Sequence, residues 1–208
     1  MTEPAVKATR KGLISTTAEF PDYKTGEPVV CISQGEMMLW YILRWDDDID
    51  HIDTQVALDN DRVDSIINEI RGSEIYAENP LEPDNRENLS TDLVAYLRNG
   101  LIHAYQVKSS REEVKGDKEQ GRLLIEALYW KSLGVKWNLM FKEDINKIYV
   151  DNIKDVTRYY DEQKVHDEIS KLQHLIAVKK LTVDMTVPID WPAMLEQYNS
   201  LTAGEHHE

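Results

Sequence analysis

The sequence predicts an α/β protein: a mixed sheet flanked by helices over residues 1–142, then a small, mainly helical domain over 143–208. Three observations carry this. Thr91 to Ser109 reads as a β-hairpin, because two apolar, β-favouring runs flank Asn99-Gly100. Helical and strand periods alternate around it, in the order helix, strand, hairpin, helix, strand. After Lys142 the alternation stops and helical patterns follow one another.

Residues 1–30 are turn-rich, with Pro4, Gly12, Pro21, Gly26 and Pro28, and predict an N-terminal arm, loosely ordered or folded onto a neighbour. Ser33 to Trp45 predicts a helix capped by Ser33, with Glu36 three residues on completing a capping box. Its apolar positions form two adjoining stripes, so much of its circumference should be buried. Asp46 to Asp50 has acids at alternate positions but fails as a calcium loop: His51 stands where Gly is needed and Ala57 where Glu is needed. A solvated loop followed by a strand from Ile52 to Leu58 is expected instead.

Asp59 to Ile70 predicts a short helix or a second connecting loop, and Ser73 to Ser90, with Pro80 and Pro83, a loop leading to the hairpin. Arg111 to Lys118 is charged. Glu119 to Leu133 predicts a helix stopped by Gly134, and Val135 to Phe141 alternates as a strand. In the second domain, Glu143–Tyr149, Asn152–Tyr160 and Val165–Ala177 read as helices and Lys180–Val187 as a short strand. Asp190 caps a last helix, Trp191–Leu201. Gly204 to Glu208, with His206 and His207, reads as a frayed tail rather than a metal site.

The composition limits the function. Of 208 residues, 41% are hydrophobic, enough for a real core. The longest apolar run, Met37 to Leu43, is too short for a bilayer, and no signal segment opens the chain. Cys31 is the only cysteine, so no internal disulfide forms and a cytoplasmic location is expected. The net charge is −14, with 6 basic against 16 acidic residues over 31–110 and 14 against 18 over 111–208. Such a chain repels nucleic acid unless its acids have another task or a partner supplies basic surface.

The hairpin gives those acids a task. A two-residue loop sets Asp92 opposite Val107, facing away from Gln106 and Lys108. A three-residue loop, Arg98-Asn99-Gly100, is a type I turn closed by a left-handed Gly and a bulge. It sets Asp92 opposite Gln106, with Lys108 one step along the same face. The three-residue loop is predicted. It gathers an acid, an amide carbonyl and an ammonium, groups suited to a hard divalent cation beside a phosphate. Taken singly each has a plain structural role: Glu36 as a capping acid, Asp92 as a strand-opening polar residue, Gln106 and Lys108 as an exposed hairpin edge.

The longer arrangement is more specific. SQGEMMLWYILRWDDDIDHIDTQV, STDLVAYLRNGLIHAYQVKSS and EALYWKSLGVKWNLMFKEDINKIYVDNI, in that order, span most of residues 33–153. Together they resemble the entry helix, catalytic hairpin and following helix–strand stretch of the TnsA endonuclease family of heteromeric transposases, within the PD-(D/E)xK nuclease superfamily. Thr91 stands where that family usually has Pro, and Phe141-Lys142-Glu143 replaces a Val-Thr-Glu type turn. Gln106 stands where most of the superfamily has an acid, although TnsA is similar to this chain there.

The resemblance implies a restriction-endonuclease-like core and a Mg²⁺-dependent DNA endonuclease, with Mn²⁺ as an alternative ion. The partners it implies are transposon-end DNA, a DDE-type transposase subunit and an AAA+ ATPase regulator, with no membrane. The nuclease would cut the 5′ ends of the transposon while its partner cuts and joins the 3′ ends. Glu36, Asp92 and Gln106, supplemented by the Val107 main-chain carbonyl, would hold metal. Lys108 would orient or deprotonate the water and stabilise the transition state. Arg111, Lys115, Lys118 and Arg122 are candidate phosphate contacts or a solvated basic face. Two other readings stand beside this one: a stand-alone restriction-type or junction-resolving nuclease, and a catalytically silent adaptor that recruits the ATPase. On the last helix, Trp191, Met194, Leu195 and Tyr198 form a stripe for docking that ATPase or for packing on the chain's own core.

Overall fold

The structure, a computed structural model, describes residues 17–71 and 89–204, with side chains to 200. The start of the arm, most of the Ser73–Ser90 loop and the His206-His207 tail lie outside the described residues. The chain divides into two units, one holding Val30–Ile145 with the residues up to Glu19, the other Phe20–Val29 with Asn146–Glu208.

The first unit is α/β, with a four-stranded mixed sheet flanked by helices. Its strands are β3 (Ile49–Ala57), β4 (Ser90–Leu97), β5 (Ile102–Lys108) and β6 (Lys136–Phe141), in that spatial order. β3, β4 and β5 are antiparallel neighbours, and β5 pairs in parallel with β6. The helix needed for that parallel step is α3 (Asp117–Ser132), which begins two residues before the expected start. A 3₁₀ turn, Arg111–Val114, fills the charged stretch before it. Helix α2 (Asn60–Ile70) settles the choice left open for that segment, and Asp59 caps it by accepting from the Arg62 N–H at 2.9 Å.

Helices α2 and α3 share one core with the sheet, in which Val63, Ile66, Ile67, Val94, Ala104, Ile125 and Trp130 are buried. Helix α1 (Gln34–Trp45) packs against β3, β4 and β5. Arg44 ties its last turn to the start of β3, donating to the carbonyls of Ile49 and Asp50 at 3.3 and 2.7 Å. β3 begins three residues before the expected Ile52, within the stretch read as a solvated loop.

The hairpin has the predicted three-residue connection. Leu93 pairs with Tyr105 and Tyr96 with Ile102, the Leu97 N–H donates to the Leu101 carbonyl, and Gly100 takes φ +85°. One further step of this register sets Asp92 opposite Gln106.

In the second unit, α4 (Lys147–Thr157) and α5 (Glu168–Ala177) pack together around Val150, Ile153, Val156, Leu172 and Ile176. Two expectations are corrected here. Glu143–Tyr149 and Asn152–Tyr160 are not two helices: Lys142–Asp144 is a 3₁₀ turn, and one helix runs from a cap at Asn146. Lys180–Val187 is a loop rather than a strand, because the Asn152 side chain takes its carbonyls at Met185 and Val187. The described part of the arm takes the folded alternative: β1 (Ala18–Pro21) and β2 (Pro28–Cys31) form a two-stranded sheet, and Tyr23 sits edge-on to Tyr160 at 5.3 Å.

Asp190 caps α6 (Trp191–Gly204) as expected, accepting from the Ala193 N–H at 3.1 Å. Its stripe of Trp191, Met194, Leu195 and Tyr198 is half-buried, and α6 packs on α5. No helix among the described residues is long and apolar enough to cross a membrane.

Candidate functional site

Glu36 is placed by the first turn of α1. Ser33 caps that turn, its Oγ accepting from the Glu36 N–H at 3.1 Å. The reciprocal bond differs from an ordinary capping box. Glu36 Oε2 reaches one residue further back and accepts from the Ile32 N–H at 2.9 Å. Gly35 allows the approach, since a Cβ there would lie 2.9 Å from Val107 Cγ1. The helix start therefore rests directly on β5, and Glu36 is only 3% exposed.

Asp92, on β4, is 7% exposed and binds across the hairpin, its Oδ2 accepting from the Val107 N–H at 2.8 Å. Between the two acids lies Gln55 of β3, whose Nε2 donates to Glu36 Oε2 at 2.9 Å and to Asp92 Oδ1 at 3.3 Å. Gln106 is 8% exposed, and its Oε1 is buried without a hydrogen-bond partner. A carbonyl oxygen left so costs about 1–3 kcal/mol, which a ligand can recover.

Both acids hold their protons unusually well. Burial, then the charge of Asp92, pushes Glu36 up to about 7. Burial also raises Asp92, against the Val107 N–H, the Lys108 charge, the Gln55 amide and the Arg122 charge. These costs arise because two carboxylates share one desolvated space. Beneath them, Glu126 of α3 is 5% exposed, its Oε1 accepting from Thr91 Oγ1 at 2.6 Å and Trp137 Nε1 at 3.0 Å. Burial pushes Glu126 to about 7 as well. Cys31 is fully buried, and burial plus the two nearby acids lift its thiol to about 12, so it is chemically inert.

Lys108 lies beside the acids, but its ion pair is with Glu119 of α3, at 2.5 Å. Of the candidate phosphate contacts, Arg111 is engaged by Glu143 and Asp144 and stacks on Phe141, and Lys115 pairs with Glu112. Lys118 is exposed. Arg122 is half-buried, its charge acts on Asp92, and its Nε is buried without a partner.

Glu36, Asp92 and Val107 thus meet, the register sets Gln106 opposite Asp92, and the Lys108 charge acts on Asp92. Gln55, Glu119 and Glu126 are additions that the sequence reading missed. Gln55 carried no local signal, and only the β3–β4 pairing of the structure sets it opposite Asp92. For Glu126 the signal was its place among Leu123, Tyr129 and Trp130, one turn before and after it on the helix. Among the described residues no three of His, Cys, Asp and Glu converge as a metal-holding group. Glu36, Asp92, Gln106 and the Val107 main-chain carbonyl offer only oxygen atoms, the donor chemistry Mg²⁺ and Mn²⁺ take. No family model and no curated protein matches the chain.

Proposed function

We propose that the chain is a metal-dependent DNA endonuclease with a restriction-endonuclease-like core, the subunit of a heteromeric transposase that cuts the 5′ transposon ends. The observation that supports this most is the buried Glu36–Asp92 pair beside the orphaned Gln106 carbonyl, on a hairpin whose next outward residue is Lys108. Two buried carboxylates whose charged forms are disfavoured by burial, and an acceptor without a partner, form a site short of positive charge.

Glu36, Asp92 and Gln106, with the Val107 carbonyl, would hold Mg²⁺ or Mn²⁺. A bound ion supplies an acidified water and compensation for charge on the leaving oxygen. The chain's own groups do the rest. Asp92 is fixed by the Val107 N–H and Glu36 by the Ile32 N–H, so neither carboxylate needs to reorganise. Lys108 Nζ can move a proton to or from the attacking water and offset phosphorane charge, while its ion pair with Glu119 orients it. Arg122 and Lys118 take phosphate oxygens. Arg111 and Lys115 join only by giving up their acidic partners. A charge of −14 makes binding to DNA alone weak, so the DDE-type transposase subunit and the AAA+ regulator deliver the transposon end to this site in the cytoplasm.

The test is cleavage of labelled transposon-end DNA by the reconstituted subunits in Mg²⁺. 5′-strand cuts that vanish with Asp92→Ala are expected. Cuts that persist with Asp92→Ala would remove the catalytic assignment.

A further inference from the structure

Gln55 breaks the regularity of its strand. From His51 to Ala57, β3 keeps one register with β4, Thr54 pairing with Leu93 and Val56 with Thr91. Gln55, between them, falls opposite Asp92 and takes φ +54°. A left-handed residue with a Cβ is strained, and glutamine has no short side chain to offset the strain locally. The compensation is at the far end of the side chain. Its amide nitrogen lies between the two buried acids, 2.9 Å from Glu36 Oε2 and 3.3 Å from Asp92 Oδ1.

Only the donor end of an amide is favourable between two carboxylate oxygens. The bridge therefore gives these acids part of the positive charge that their surroundings lack. The Lys108 ammonium is engaged by Glu119. An amide carries only partial charge, so a divalent cation displaces it readily. The same side chain has a carbonyl oxygen one rotation away, a hard donor of the type Gln106 already presents.

We propose that Gln55 is a resident stand-in for the divalent cation: its amide bridges Glu36 and Asp92 in the metal-free protein and turns its Oε1 to the ion when one binds. This rests on reading Glu36 and Asp92 as metal ligands. It adds a residue to the site and a reason for the left-handed backbone at 55. Gln55 is a positioning residue in one state and a ligand in the other.

Two substitutions separate these roles from plain packing. Gln55→Met keeps length and loses both donor and acceptor. Gln55→Glu loses the donor and keeps the oxygen. Mn²⁺ is titrated by calorimetry into the full-length wild type, both variants and Asp92→Ala, and thermal unfolding is followed in chelator and in Mn²⁺. Gln55→Met should bind Mn²⁺ at least about tenfold more weakly than wild type, the loss of one oxygen ligand and of a prepared site. Gln55→Glu should bind at least as tightly as wild type, unfold at lower temperature in chelator, and gain more than wild type from added Mn²⁺. A structural role alone would lower both variants together in chelator and give neither a special response to Mn²⁺.

Gln55→Met within twofold of wild-type affinity overturns the proposal, as does Gln55→Glu binding as weakly as Gln55→Met. If Gln55→Met fails to fold, the metal response of Gln55→Glu decides alone. Wild-type binding lost in Asp92→Ala but unchanged in Gln55→Met sinks this inference and spares the proposed function. No wild-type binding at all sinks both.

Discussion

The two units bury polar groups for different purposes. In the second unit, each buried polar side chain serves its own helices. Thr157 donates to the Ile153 carbonyl, Ser170 completes the capping box of α5 with Asp167, and Gln173 donates to Asp155. In the first unit, Arg44 acts in the same way by tying α1 to β3, but Glu36, Asp92, Gln106 and Glu126 do not. Three are acids raised in pKa by burial, and the fourth holds a carbonyl oxygen with no partner. A fold does not need such a cluster for stability, since apolar residues of the same size would pack there at lower cost. Under the proposed function, the difference marks where stability has been given up for chemistry.

Substitutions should keep the two regions distinct. The largest effect belongs to Lys108→Ala. Cleavage by the assembled complex should fall roughly 10²–10⁴-fold, as for loss of a proton-transfer group. Calorimetric Mn²⁺ affinity should stay close to wild type, because Lys108 is not a ligand; an unchanged cleavage rate would remove it from the reaction.

Next comes pH. Glu126 is raised from 4.5 to about 7 in the folded chain, so the folded state binds its proton more tightly than the unfolded state. Its favourable contribution is complete below about pH 4.5 and is lost as pH rises through about 7. Metal-free protein should therefore lose stability from pH 5 to 7.5. Glu126→Gln, which keeps an oxygen for Thr91 and Trp137, should remove up to about 3 kcal/mol of that slope in denaturant titrations. A slope unaltered by the substitution would place the sensitivity elsewhere.

Gly35→Ala should cost about 1–3 kcal/mol, because its methyl group meets the stiff, buried Val107 and pushes α1 away from β5. It should also weaken Mn²⁺ binding, since Glu36 moves with the helix. The smallest effect lies in the second unit. Asp167→Ala removes the cap of α5 and should lower the thermal midpoint slightly, with metal affinity unchanged. A change in affinity there would erase the contrast between the units.

The site was legible where spacing alone fixes geometry. Asn99-Gly100 and the count from Asp92 to Gln106 determined the hairpin register, and Gly100 takes the left-handed backbone that register requires. What stayed hidden depends on contacts distant in sequence. Lys180–Val187 contains β-favouring residues but lies beside Asn152, whose amide takes two of its carbonyls in place of a partner strand. Two helical periods near 143–160 became one helix because Asn146 caps it from within. Gln55 looked like one more strand residue. Its left-handed backbone follows from the acids on α1 and β4 that its amide reaches, and no local pattern announces that.

The most direct measurement is calorimetric titration of Mn²⁺ into the wild type and Asp92→Ala, each with a short DNA duplex present. Saturable binding in the wild type that disappears in the variant is the predicted result. Absence of binding in the wild type would contradict the assignment of Glu36, Asp92 and Gln106 as a metal site.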